Sequence, residues 1–150
     1  MKNNICIANL NDIDELEKLW SGYQKFYNVS EINSAKNKEF IRNIINKPSD
    51  GVIHIYILDS KIVGFTTIYF SYASTICERI GVLNDLFVKE DFRRKGIARE
   101  LLKHAKDFTL SKNIFYLRWT TQQSNVKAQQ LYKDFVEPSN WLIYSLKLKG

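Results

Sequence analysis

The sequence predicts a single α/β domain over residues 1–150, with a mixed, mostly antiparallel sheet flanked by helices in the order β-α-α-β-β-β-α-β-α-β. Three observations predict it. Val52 to Leu58 and Ile62 to Tyr72 are β-branched, alternating runs separated by Asp59-Ser60, which reads as a hairpin. Ile13, Leu16, Leu19, Trp20, Tyr23 and Phe26 or Tyr27 recur at helical spacing, giving one apolar face. A strand ending Asp85-Leu-Phe-Val88 runs through a basic turn into a helical pattern and then a further strand. That crossover supplies a parallel pair, whereas the hairpins supply antiparallel ones.

Each element follows from local signals. Ile5 to Ala8 reads as a short first strand. Asn11-Asp12 caps the first helix, with Glu15 three residues after Asp12 as in a capping box. Ser34 caps a second helix through Lys47, whose inner face carries Phe40, Ile41, Ile44 and Ile45. Pro48-Ser-Asp-Gly51 ends it. After the hairpin, a strand beginning at Ile76 or Glu78 runs to Val88. The next helix reaches about Leu110, with Ile97, Leu101, Ala105 and Phe108 inward. Ile114 to Thr120 is a strand, Asn125 to Phe135 a short helix, and Trp141 to Lys149 a final strand. That last strand carries apolar side chains on both faces, so it can pair with a second copy in a homodimer.

Composition excludes several classes. A chain of 150 residues is long enough for one real core. No apolar run approaches the ~20 residues needed to span a membrane, and no membrane partner is expected. Polar residues interrupt the N-terminal stretch, unlike a signal peptide. Cys6 and Cys77 fit no metal spacing; each falls in an expected strand and is expected as a buried free thiol, consistent with a reducing, cytoplasmic setting. His54 and His104 lie far apart and show no metal pattern, so no metal and no histidine chemistry are expected. The net charge of +6 is concentrated around Lys89 to Lys106. Without a recognised module or aromatic–basic interleaving, it predicts attraction of a small anion and no nucleic-acid partner.

The most informative stretch is Arg93-Arg94-Lys95-Gly96-Ile97-Ala98, between a strand and a helix. The first N–H groups of a helix have no internal acceptors, and the helix dipole adds positive charge there. Such a turn suits a phosphate or pyrophosphate. Gly96 permits close backbone approach. The spacing is neither a nucleotide triphosphatase loop nor a dinucleotide fingerprint. Arg-x-x-Gly-x-Ala after Asp-Leu-Phe-Val resembles the coenzyme A pyrophosphate loop of the GCN5-related N-acetyltransferases (GNAT family). Downstream, Asn125-Val-Lys-Ala128-Gln-Gln-Leu131-Tyr132 resembles the family's Asn-x-x-Ala-x-x-Leu-Tyr segment. Two ordered motifs about 30 residues apart make the resemblance specific.

The resemblance implies an acetyl-CoA-dependent N-acetyltransferase whose sheet splays apart at its parallel strand pair. Leu86, Phe87 and Val88 would hold the pantetheine arm by backbone, with the Val88 N–H on the thioester carbonyl. Arg93, Arg94, Lys95, Gly96, Ile97, Ala98 and Arg99 would take the pyrophosphate, and Asn125 would contact the coenzyme. Tyr132 is the candidate general acid for the leaving sulfur. Some relatives carry a glutamate base where Asn84 stands; an amide takes no proton, so Asp85 is the nominee. The acceptor site would draw on Trp20, Tyr23, Tyr27, Asn84 and Trp119, whose aromatic faces suit a cationic amine. The acceptor is then a primary amine, either of a polyamine-like small molecule or of a protein lysine or N-terminus. Neither cysteine sits in a nucleophile-like context, so transfer is direct. The alternative is an acyl-CoA-binding regulatory domain that lost catalysis with its glutamate. The family's glycine after the Leu-Tyr helix is also missing: Lys133-Asp-Phe-Val136 stands there.

Overall fold

The computed structural model describes residues 4–150. Met1 to Asn3, part of the stretch that argued against a signal peptide, lie outside the described residues. The chain divides into two compact units, Met1–Thr120 and Thr121–Gly150. The first holds β1 (Ile5–Ile7), α1 (Ile13–Phe26), α2 (Ser34–Ile45), β2 (Gly51–Leu58), β3 (Lys61–Ala73), β4 (Glu78–Val88), α3 (Ile97–Ser111) and β5 (Leu117–Arg118). The second holds α4 (Val126–Tyr132). The sheet order is β1-β2-β3-β4-β5, antiparallel except for the parallel pair of β4 and β5.

The expected hairpin forms with Leu58 opposite Lys61. Asp59 and Ser60 both adopt left-handed backbone, φ 48° and 62°, the twist a two-residue hairpin loop needs. One sheet face packs Ile53, Ile55, Ile62, Phe65 and Phe87 against Ile13, Leu16, Leu19 and Trp20 of α1 and Ile41 of α2. Tyr56, Val63 and Val88 pack with Ile97 and Leu101 of α3 on the other. Each such side chain contributes about 1.5–3 kcal/mol when fully buried. Gly64 lets α3 lie close, since a Cβ there would meet the Leu101 side chain at 3.2 Å and the Phe87 carbonyl at 3.1 Å.

Several expectations shift. The capping box lies one turn earlier than Asp12–Glu15: the Asn9 side chain accepts from the Asn11 N–H at 2.9 Å, and Asp12 accepts from the Asn9 N–H at 2.8 Å. Glu15 instead accepts from the Ile62 N–H on β3 at 2.7 Å. Asn33, not Ser34, caps α2, accepting from Lys36 N–H at 3.0 Å. Phe40 is half exposed, its ring edge-on to Trp20, while Ile41 takes the inner position. Both cysteines are exposed. Cys6 lies on the outermost strand, and Cys77 lies in the β3–β4 turn with φ 54°. The strand expected over Ile114 to Thr120 shortens to Leu117–Arg118. Residues 141–149 form no strand, and Trp141, Tyr144, Leu146 and Leu148 are exposed. An apolar run does not make a strand where no ladder partner is engaged. Without its glycine, α4 ends in right-handed backbone at Lys133 and winds off through bonds from Phe135 and Val136 to the Tyr132 carbonyl.

The two histidines, distant in sequence, meet behind the sheet. Their rings lie 4.6 Å apart between centroids, and Phe108 lies 4.5 Å from His54. Neither His54 nitrogen nor the Oγ1 of Thr66, its neighbour across the β2–β3 ladder, has a hydrogen-bond partner. Burial, and secondarily the His104 charge, push the His54 imidazole down to about 4. The unfolded chain therefore takes up a proton near pH 6.5 that the folded chain refuses until about pH 4. The contribution of His54 to stability is full above pH 6.5 and falls by about 3 kcal/mol as pH drops through that window. Urea midpoints between pH 7.5 and 4.5 should show this loss, and His54→Phe should flatten it.

Candidate active site

The basic turn has the geometry its sequence predicted. After β4, the chain makes a single 3-10 turn, Glu90–Phe92, then leaves Arg93 extended. Arg94 (φ 63°) and Gly96 (φ 80°) are both left-handed, and Gly96 caps α3. Glu100 is the residue whose N–H reaches the Gly96 carbonyl, at 3.0 Å. The N–H groups of the first turn thus precede any intrahelical acceptor. A Cβ built on Gly96 meets nothing within 4 Å, so this side of the loop is open. Arg94 and Lys95 are exposed around it and Arg99 is partly buried. Nest-like backbone, a helix start, surrounding cations and open space fit a pyrophosphate.

One edge of β4 continues this surface. β5 pairs with β4 only at Gly81 and Val82. Residues 83–88 have no β5 partner, about 20 Å of strand at ~3.3 Å per residue. The other edge pairs with β3 from Glu78 to Val88, except at Asn84. The Lys89 N–H bonds the Val63 carbonyl on the β3 side at 2.8 Å. Backbone groups alternate between edges, so the N–H and C=O of Val88 point to the open side. This parting matches the splay expected of the parallel pair and fits an extended amide-bearing arm.

A β-bulge shapes the acid. Thr67 pairs with Asp85 and Ile68 with Leu83, leaving Asn84 as the extra residue. Asn84 is exposed while Asp85 turns inward to 7 % exposure. The Asp85 carboxylate accepts from Tyr23 Oη at 2.5 Å, from Thr67 Oγ1, and from Asn84 Nδ2 at 3.1 Å. Its partners are two hydroxyls and an amide, not a cation. Burial and the Asp85 charge push the Tyr23 phenol far above its ordinary range, so it remains a donor. The same two causes push Tyr69 up to about 12.

The match to known proteins agrees with this geometry. Residues 13–135 match the acetyltransferase (GNAT) family. The chain belongs to that family. It is an N-acetyltransferase by this membership and by its relatives. It is 30% identical to YhfO of Bacillus subtilis (strain 168), an uncharacterized N-acetyltransferase, over 97% of both chains. It is 27% identical to the thialysine N-epsilon-acetyltransferase of Caenorhabditis elegans, over 84% of this chain and 71% of that one. The crystal structure of a probable acetyltransferase, 28% identical, superposes with a TM-score of 0.86 over 97% of this chain and 98% of that one.

Within the acetyltransferase, the expected site residues separate into groups. Leu86, Phe87, Val88 and the loop from Arg93 to Arg99 adjoin along β4 and α3. Tyr23 comes to Asp85 from α1, and Tyr27 lies edge-on to Tyr23 at 5.1 Å. Trp20 is buried and stacked on Phe65 at 4.8 Å, so it supports the site from the core. Trp119 is partly buried just after β5. Arg93 turns back on the protein, donating from Nε to the Val88 carbonyl at 2.8 Å. In the second unit, Asn125 caps α4 by accepting from the Ala128 N–H at 3.3 Å, and Tyr132 is its last residue. Thr67 was missed; its only signal was its place in the alternation of β3, where it pairs with Asp85. Among the described residues, no group of three or more His, Cys, Asp or Glu could hold a metal, and no helix is long and apolar enough to cross a membrane.

Gly96→Ala should separate backbone strain from steric fit. The added methyl meets open space but must sit at φ 80°, costing about 1–2 kcal/mol. Urea unfolding should report that loss. Calorimetry should show weaker coenzyme A binding with the acceptor side unaffected.

Proposed function

We propose that this N-acetyltransferase moves an acetyl group from acetyl-CoA directly to a primary amine of a small cationic molecule of the polyamine or lysine type. The observation that carries this reading is the Asp85 carboxylate, buried on the strand that would hold the donor and lacking a cationic partner. A carboxylate offers about four acceptor positions. Three are taken by Tyr23, Thr67 and Asn84. The fourth suits an ammonium, or a water that passes on its proton. The aromatic faces of Tyr23 and Tyr27 add cation-binding surface.

The donor supplies its acetyl group as a thioester. Val88 contributes an N–H on the open edge of β4, positioned to stabilise charge on the thioester oxygen. The loop from Arg94 to Arg99 anchors the pyrophosphate, and Asn125 is a further contact to the coenzyme. An alkylammonium has no lone pair, so the amine must lose a proton before attack. Asp85 lies about 10 Å along the strand from Val88 at ~3.3 Å per residue. That spacing favours Asp85 as the acceptor's charge anchor and as the end of a proton relay. Tyr132 serves as the acid that protonates the sulfur. The family's acetyl donor and the small amine for which the thialysine N-epsilon-acetyltransferase is named support this assignment of substrates.

Thiol release from acetyl-CoA across a panel of diamines, lysine analogues and lysine peptides tests the proposal. Turnover should appear with short cationic amines. Tyr132→Phe should lower kcat about 100-fold. Tight coenzyme A binding with no turnover on any amine would instead identify an inactive acyl-CoA-binding domain.

Asp85→Asn retains the shape but removes the charge. It should raise KM for cationic acceptors about tenfold while leaving KM for acetyl-CoA unchanged, a coupling of roughly 1.4 kcal/mol. Equal loss for cationic and uncharged amines would remove Asp85 as the charge anchor.

A further inference from the structure

Arg93 opens the basic loop, and the obvious role for its charge is on the donor's pyrophosphate. Its side chain does something else. Nε donates to the Val88 carbonyl at 2.8 Å. That carbonyl points to the edge of β4 from which β5 has departed, so no strand partner takes it. A backbone acceptor left there must be satisfied by water or by a side chain. Arg93 supplies the bond.

The rest of the guanidinium is held by two rings. It lies 5.2 Å from the Phe26 centroid, at the end of α1, and 5.3 Å from Phe87 on β4. Such contacts contribute about 0.5–2 kcal/mol each and fix a planar cation better than a point charge. Phe87 in turn lies 5.5 Å from the Tyr23 ring, and Tyr23 bonds Asp85. One side chain thus ties together the loop, the last residue of β4 and the C-terminal end of α1.

We infer that Arg93 is a positioning residue: it locks the Val88 backbone, and with it the N–H that meets the thioester, rather than binding donor phosphate. The inference rests on the donor placement given under Proposed function. Fixing the Val88 carbonyl restricts ψ of Val88 and holds the following peptide. The N–H on the same residue then keeps its direction when the donor arrives. A misplacement of about 1 Å at a reacting centre costs roughly 100-fold in rate, so loss of this lock should appear in kcat.

The test compares acetyl-CoA with S-acetylpantetheine, which has the same thioester arm but no pyrophosphate. Arg93→Ala should lower kcat by roughly 10- to 100-fold with both donors, and by the same factor. Arg93→Gln, which keeps an N–H donor without charge, should recover much of the loss on both. Calorimetric binding of coenzyme A and pantetheine should change by equal factors. A loss confined to acetyl-CoA, with S-acetylpantetheine turned over normally and no recovery by glutamine, would overturn the inference and make Arg93 a phosphate ligand. If the unaltered protein acetylates no amine, the failure lies in the proposed function. The binding arm then decides the inference alone: equal changes support it, and a change for coenzyme A only overturns it. Far-UV circular dichroism and melting of both variants distinguish local misplacement from unfolding, and a folded Arg93→Ala variant with full kcat also overturns it.

Discussion

Strand β4 is paired along one edge and abandoned along the other. β3 holds it from Glu78 to Val88, while β5 leaves it after Val82. The donor site proposed for the first unit depends on that asymmetry. The paired edge makes the strand rigid. The unpaired edge offers backbone donors and acceptors that require partners, and an amide-bearing ligand can supply them. The same strand then delivers the chain into a left-handed glycine and a helix start, where an anion is favoured. A donor with an amide arm and a pyrophosphate matches that order of features.

The acceptor side proposed for Asp85 comes from the same strand by a single irregularity. The bulge at Asn84 turns Asp85 inward, where hydroxyls from α1 and β3 meet its carboxylate. Without it, strict alternation would place Asp85 on the same face of β4 as Leu83; with it, the two side chains lie on opposite faces. Aromatic packing connects this acid to the loop: Tyr23 contacts Phe65 and Phe87, and Phe87 lies under the Arg93 guanidinium. The polar groups are therefore set in a packed frame rather than on a mobile surface.

Much of this was legible in the sequence because it is local. The loop from Arg93 to Ala98 follows from a glycine, a helix pattern and their spacing. The hairpin at Asp59-Ser60 and the apolar face of α1 are equally local. What was not legible depends on partners distant in the chain. Glu15 caps a strand residue rather than its own helix because Ile62 comes to it. Trp20 reads as an aromatic near an amine site, yet Phe65 covers it. Cys77 falls in an expected strand, but the chain is already turning there with φ 54°. Residues 141–149 show why an apolar, aromatic run is insufficient, since a strand is defined by its neighbour. The tyrosine–threonine–aspartate cluster joins positions 23, 67 and 85, and no spacing rule connects them.

The central claim is that the open edge of β4 and the loop after it receive the donor. Hydrogen–deuterium exchange with and without acetyl-CoA tests it most directly. Slowed exchange is expected in peptides covering residues 83–88 and 94–99, with little change in β1 and β2. Saturating acetyl-CoA that protects some other segment and leaves those two unchanged would contradict it.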